Sequence, residues 1–122
     1  MKIDKINFKE KFGKLPNADY AVGIIAKMNN YEFKIVKFKG DFIWHKHEDT
    51  DETFIVLEGM MTMNLLDRKI EVNKGEMIVI PKGIEHKPSS LKEYKALLIE
   101  PEDTPNTGNV KNEMTIKKIE WV

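Results

Sequence analysis

Two of the three histidines in this chain stand one residue apart, in the stretch FIWHKHEDTDETFIVLEGMM at residues 42–61, and a cluster of acidic residues follows them. Side chains two apart on an extended strand point the same way, with stems roughly 6.6 Å apart. His45 and His47 can therefore converge on one metal ion about 2.1 Å from each ring nitrogen, with Lys46 turned away. The EDTD that follows is turn-forming, so the chain can reverse and bring Glu52 beside the two imidazoles as the next strand begins. The last histidine, His86, closes the stretch GEMIVIPKGIEH, where Pro81 and Gly83 make a tight corner from which an inward side chain can again be presented. The expected site is His45, His47, Glu52 and His86. Three imidazoles and a carboxylate suit one divalent transition metal, Fe, Mn, Ni, Co or Zn, with coordination positions left for water, substrate or dioxygen. Such an ion polarises a bound carbonyl, enediol or carboxylate as a Lewis acid, or binds dioxygen beside a chelating substrate if it is redox-active.

Composition narrows the partners of such a site. A chain of 122 residues is the length of one ordinary domain, 1–122. Its 20 basic and 20 acidic residues cancel, and its lysines are scattered, so nothing attracts nucleic acid or an anionic membrane. No apolar run approaches the roughly 20 residues that span a bilayer, and the opening MKIDKINFKEKF carries charges where a secretory signal needs its apolar stretch. The expectation is a soluble cytoplasmic protein with a small-molecule ligand. With no cysteine, a metal has only nitrogen and oxygen donors. Arg68 is the only arginine, which argues against guanidinium recognition of carboxylate or phosphate as the main device.

The elements that must hold these residues are short strands. Phe8, Phe12 and Leu15 fall at helical spacing, cut by Gly13 and Pro16 to about two turns, which predicts a short N-terminal helix capping a sheet. Beyond it, apolar runs alternate with turn dipeptides, placing strands near 20–28, 31–39, 42–47, 52–58, 60–66, 68–72, 76–80, 84–88, 94–100 and 114–121. The pattern predicts an all-β sandwich or barrel, with 100–109 as a linker crossing its surface. TFIVL at 53–57 and MIVI at 77–80 are apolar at consecutive positions, so both faces of each strand should be covered. A second subunit over Ile55, Leu57, Ile78 and Ile80 supplies that cover, which makes the expected state a homodimer. Ile43, Phe54, Val56, Met61, Met63 and Met77 form the expected pocket lining. Glu48, Asp49 and Asp51 read as a solvated turn, and Trp44 as packing on the face opposite the metal.

The segment from Gly40 to Ser90 resembles the two signature motifs of the cupin superfamily. The first runs through Gly40, His45, His47, Glu52 and Gly59, and the second through Gly75, Pro81, Gly83 and His86. The gap from Gly40 to His45 is one residue shorter than the usual pattern, and Ser90 stands where the family often has Asn. Neither departure touches a ligand. The resemblance implies a cupin-type double-stranded β-helix, the RmlC-like jelly-roll barrel, holding a metal. The tail IEPEDTPNTGN is also similar to a group of small cupins loosely labelled isomerase-like. The functional expectation is a metal-dependent dioxygenase or isomerase acting on a sugar derivative, keto acid or diol. The competing expectation is a metal-dependent binding or sensor protein without turnover, because no general acid outside the metal ligands is evident in the sequence. An inert structural or interaction module is the third.

Overall fold

The computed structural model describes residues 3–122. One helix, α1 (Phe8–Gly13), precedes strands β1 (Tyr20–Met28), β2 (Tyr31–Asp41), β3 (Glu52–Glu58), β4 (Met60–Leu65), β5 (Lys69–Asn73), β6 (Met77–Ile80) and β7 (His86–Pro101). Every pairing among these strands is antiparallel, as tight turns between short strands require. Asn29 takes a left-handed backbone at the β1–β2 turn, a conformation Asn tolerates better than most residues. Gly59 does the same between β3 and β4, where a Cβ would stand 3.0 Å from the Glu93 carbonyl oxygen.

The strand order is β1-β2-β7-β3-β6, with β4 pairing both β5 and β7. β7 is the spine. From Ser89 to Pro101 it pairs with β2, while its other edge meets β4 from His86 to Ser89 and β3 from Lys95 to Ile99. The sheet wraps around a core but does not close, so the expected barrel is an open jelly roll.

Four expected strands differ. Residues 42–47 form no ladder beyond a single bridge, His45 to His86. The strands expected at 84–88 and 94–100 are one continuous β7. The strand expected at 114–121 is absent except for a bridge from Trp121 to Ile24. Polar side chains take the backbone groups there: Asn112 Oδ1 accepts from Met114 N at 2.8 Å, and Asn106 Oδ1 from Ile116 N at 2.9 Å.

Strand periodicity sorts the apolar residues into two cores. Val36, Phe38, Phe54, Val56, Met61, Met63, Tyr94, Ala96 and Leu98 belong to the inner one. The opposite face of the same sheet carries Ile35, Ile55, Leu57 and Leu97, and it is covered by Phe12 and Leu15 from α1 and by Val122. The cover expected from a second subunit over Ile55 and Leu57 thus comes from the chain's own ends. α1 is set by Asn7, whose side chain accepts from Glu10 N at 3.0 Å, and it buries Phe12 while leaving Phe8 41% exposed. The cover stops short of β6, an edge strand. MIVI is therefore not buried on both faces, and Met77 and Val79 stand 58% and 48% exposed. Among the described residues no helix is long and apolar enough to cross a membrane.

Phe12→Ala removes the largest side chain of the helix cover. It should cost about 3 kcal/mol in urea unfolding, while metal content, measured on the same protein, stays at the wild-type level because α1 lies on the face away from the histidines.

Candidate metal centre

The two histidine segments are held by each other rather than by regular ladders. His45 N donates to His86 O at 3.1 Å and His86 N to His45 O at 2.9 Å. Gly83 N, in the corner after Pro81, donates to His47 O at 2.8 Å. Gly83 takes φ +80°, which the turn requires. From the other side, Asn109 clamps Lys46: its N–H donates to Lys46 O at 3.0 Å and its Oδ1 accepts from Lys46 N at 3.1 Å. Gly108 is what lets the two segments meet, because a Cβ there would lie 2.1 Å from Lys46 O. The extended alternation survives without a strand: His45 and His47 are buried, and Lys46 turns outward to Glu48 at 3.2 Å. Trp44 also faces outward, under the Lys87 ammonium at 5.8 Å.

Ring orientation is fixed by the backbone. His45 Nδ1 lies 2.8 Å from Ile43 O, and His86 Nδ1 lies 2.8 Å from Ile84 O. A carbonyl only accepts, so each Nδ1 carries the proton and each Nε2 presents a lone pair. Glu52 Oε1 stands 3.4 Å from His47 Nε2 and 3.3 Å from His86 Nε2. All three atoms are buried with no hydrogen-bond partner. One ligand atom from each of His45, His47, Glu52 and His86 falls within 4.8 Å of the others. Buried polar atoms left without partners are costly unless a cation stands between them, so the donor set fits a divalent metal. Burial, helped by the neighbouring His86, lowers the His45 imidazole to about 4, which keeps it neutral and able to ligate.

Two buried charged residues beside the site were not expected from the sequence. Lys34 on β2 and Glu100 on β7 are both 2% exposed, with Lys34 Nζ 2.8 Å from Glu100 Oε1. In register, Lys34 faces Leu98, which makes Glu100 its diagonal neighbour. Continuing the β3–β7 register past Thr53 and Ile99 sets Glu52 opposite Glu100. A row Lys34, Glu100, Glu52 thus crosses three adjacent strands and ends at the histidines. Burial drives Glu100 well above the usual carboxylate range and the Glu52 charge adds to this, while Lys34 opposes it. Burial also works to raise Glu52, but the imidazoles of His47 and His86 beside it outweigh burial and hold Glu52 well below that range. Periodicity carried the missing signal: Lys34 shares the inward phase of Val36 and Phe38, and Glu100 that of Tyr94, Ala96 and Leu98.

A narrow cavity opens onto the site, walled by Val36, Phe38, Phe42, Phe54, Tyr94 and Leu98 and reached by His45, Glu52, Lys34 and Glu100. It gives the centres of water molecules about 40 Å³, where one water needs roughly 10–15 Å³. An outer groove under residues 103–121 shares Lys34, Asn106 and Ile119 with the cavity. Of the expected lining, Phe54 borders the cavity, and Val56, Met61 and Met63 are buried in the inner core around it. Ile43 is half-buried and contributes its carbonyl to His45. Met77 is a correction. It pairs with Ile55 on the outer phase, so Ile78 and Ile80 point inward instead, a one-residue shift that moves every side chain of the strand to the other face. Lys82 is exposed at the corner, where its N–H donates to Asp51 Oδ1 at 2.9 Å, and it does not reach the cavity.

The fold and the buried His/Glu group define a β-jelly roll with a group able to hold a metal ion, and comparison with known proteins places it. The cupin domain family matches residues 34–100, and the chain belongs to that family. A cupin-2 domain protein from Shewanella frigidimarina NCIMB 400 has a similar crystal structure, at 50% identity and a TM-score of 0.76 over 79% of this chain and 93% of that one. Protein NMB1881 of Neisseria meningitidis superposes at 30% identity and a TM-score of 0.73, covering 80% of this chain and 99% of its own. YdbB of Bacillus subtilis strain 168, an uncharacterized protein, is 37% identical over 67 residues, 54% of this chain and 59% of YdbB. The chain spans less than two thirds of the length of the curated relatives it matches.

His86→Ala should take metal occupancy well below one per chain by mass spectrometry and lower the thermal stability of the metal-loaded protein. Most of that stability difference should vanish once both proteins are chelated, because binding free energy adds to folding free energy only in the holo form. Lys46→Ala, on the outward side of the same segment, should leave occupancy unchanged.

Proposed function

We propose that this cupin is a metal-dependent enzyme acting on a compact oxygen-rich molecule, such as a sugar derivative, keto acid or diol, by dioxygenation or isomerisation. His45, His47, Glu52 and His86 hold one divalent ion, Fe, Mn, Ni, Co or Zn. The observation that carries the reading is the set of buried polar atoms, Nε2 of His47 and His86 and Oε1 of Glu52, which face one another without a hydrogen-bond partner at the edge of a cavity. When bound, the ion supplies Lewis acidity or, if redox-active, dioxygen binding. The protein supplies the rest: Nδ1–H bonds to Ile43 and Ile84 orient two of the imidazoles, apolar walls exclude bulk water, and the small volume limits the ligand. Glu100 gives the site a carboxyl group outside the ligand set for proton transfer, which weakens the case for binding without turnover. Anaerobic loading with each of the five metals, followed by oxygen uptake and product analysis over a panel of small keto acids, diols and sugar derivatives, should give turnover with at least one pairing. Tight binding throughout the panel without any product would favour the sensor reading.

The edge strand β6 supports association into a homodimer, since Met77 and Val79 lie exposed along a strand whose outer edge is unpaired. Light scattering should report twice the 14.2 kDa chain mass, and Val79→Lys should shift the protein toward the monomer.

A further inference from the structure

An ion pair buried in an apolar wall asks for a reason. Lys34 and Glu100 are each 2% exposed and sit among Val36, Phe38 and Leu98. Replacing such a pair by apolar residues of similar volume is often neutral or stabilising, so stability alone does not account for it. The pair is also incomplete. Glu100 Oε2 is buried without a hydrogen-bond donor, although both residues border the cavity that leads to the metal ligands. Lys34 has more donors than Glu100 Oε1 can use, and among the described residues its other ion-pair contact is Glu32 Oε1 at 3.8 Å.

We infer that Lys34 and Glu100 form a second anchor in the cavity, one that reads a hydroxyl group on the far end of a ligand chelated at the metal. This inference rests on the metal-chelating function proposed above and deepens it by naming the substrate class: a short hydroxylated chelator. The chemistry selects a hydroxyl over the other polar groups. A hydroxyl accepts from the Lys34 ammonium and also donates to or accepts from Glu100, so it completes the pair wherever the carboxyl proton resides. A carboxylate can only accept, and Lys34 has no spare charge for it, already facing Glu100 at 2.8 Å and Glu32 at 3.8 Å. A methyl group leaves both polar groups unsatisfied. Reach fits as well. The strand register puts Glu100 beside Glu52, so the anchor adjoins the metal ligands and a short ligand suffices to touch both.

Three probes share a 2-hydroxycarboxylate chelating end and differ at the third carbon: lactate with a methyl, glycerate with a hydroxyl, tartronate with a carboxylate. Their affinities for the cobalt-loaded protein are read from the visible spectrum of the ion, with cobalt content measured on the same samples. Glycerate should bind at least roughly tenfold more tightly than lactate, as a hydrogen bond to a charged group predicts, and more tightly than tartronate. Lys34→Met should bring glycerate to the level of lactate while cobalt content stays at that of wild type. Because that variant strands Glu100, the double change Lys34→Met with Glu100→Leu serves where the single one does not fold. Equal affinity for lactate and glycerate in wild type, tightest binding of tartronate, or no binding of any probe to the cobalt-loaded protein each overturns the anchor. Failure of wild type to take up cobalt or any other of the five metals sinks the metal reading itself and is seen separately in the metal analysis.

Discussion

The structure turns on a set of buried lone pairs that face one another. His45 and His86 spend their single ring proton on backbone carbonyls, so their remaining nitrogens can only accept, and Glu52 adds an acceptor oxygen within 3.4 Å of His47 and His86. The Nε2 atoms of His47 and His86 and Oε1 of Glu52 are buried and have no hydrogen-bond partner among the described residues. A positive charge between these atoms would satisfy them together, and much backbone is committed to holding them in place. The His45–His86 bridge, the Gly83 N–H on His47 and the Asn109 clamp on Lys46 all act on the residues beside the ligands. Each fixes a direction that the rings alone would not keep.

The sheet serves this arrangement by crossing strands that are distant in sequence. β7 begins at the ligand His86 and ends beside Glu100, so one strand contributes to both ends of the polar row. β2 and β3 flank it with Lys34 and Glu52. The like-charged pair Glu52 and Glu100 would repel across the strands if both were ionised. Their opposite shifts remove the conflict, with Glu100 pushed toward the neutral form by burial and Glu52 held as the anion by its neighbours. Lys34 then balances the row at its outer end.

The two faces of the sheet divide the work. Lys34, Val36 and Phe38 of β2 and Glu52, Phe54 and Val56 of β3 line the cavity or the inner core, while Ile35, Ile55 and Leu57 seat α1 and the C-terminal Val122. Lys11 Nζ also donates to Val122 O at 2.7 Å, so the two ends of the chain meet on the outer face. The segment after β7 covers the other side, where Asn106 joins the Tyr20 hydroxyl at 3.1 Å and Ile119 closes part of the cavity wall. Irregular backbone is tolerated there because Asn and Thr side chains satisfy it locally.

Much of this was legible in the residues themselves. The spacing of His45 and His47, the polar turn before Glu52 and the Pro81–Gly83 corner before His86 are local facts, and local geometry settles which way neighbouring side chains point. Strand content follows for the same reason, since short apolar runs between turn residues have few other uses. The phase of a strand is less secure: Met77 reads as inward until pairing with Ile55 and Ile78 with Phe54 shows the opposite. What only the tertiary structure decided is everything that depends on which strands become neighbours. Lys34 and Glu100 lie 66 residues apart, and nothing in either stretch says that β2 and β7 pair. The cover over Ile55 and Leu57 was equally undetermined, because an apolar face specifies that it must be buried and not by what. Burial is a demand written in each residue, whereas the partner that meets it is a property of the folded chain.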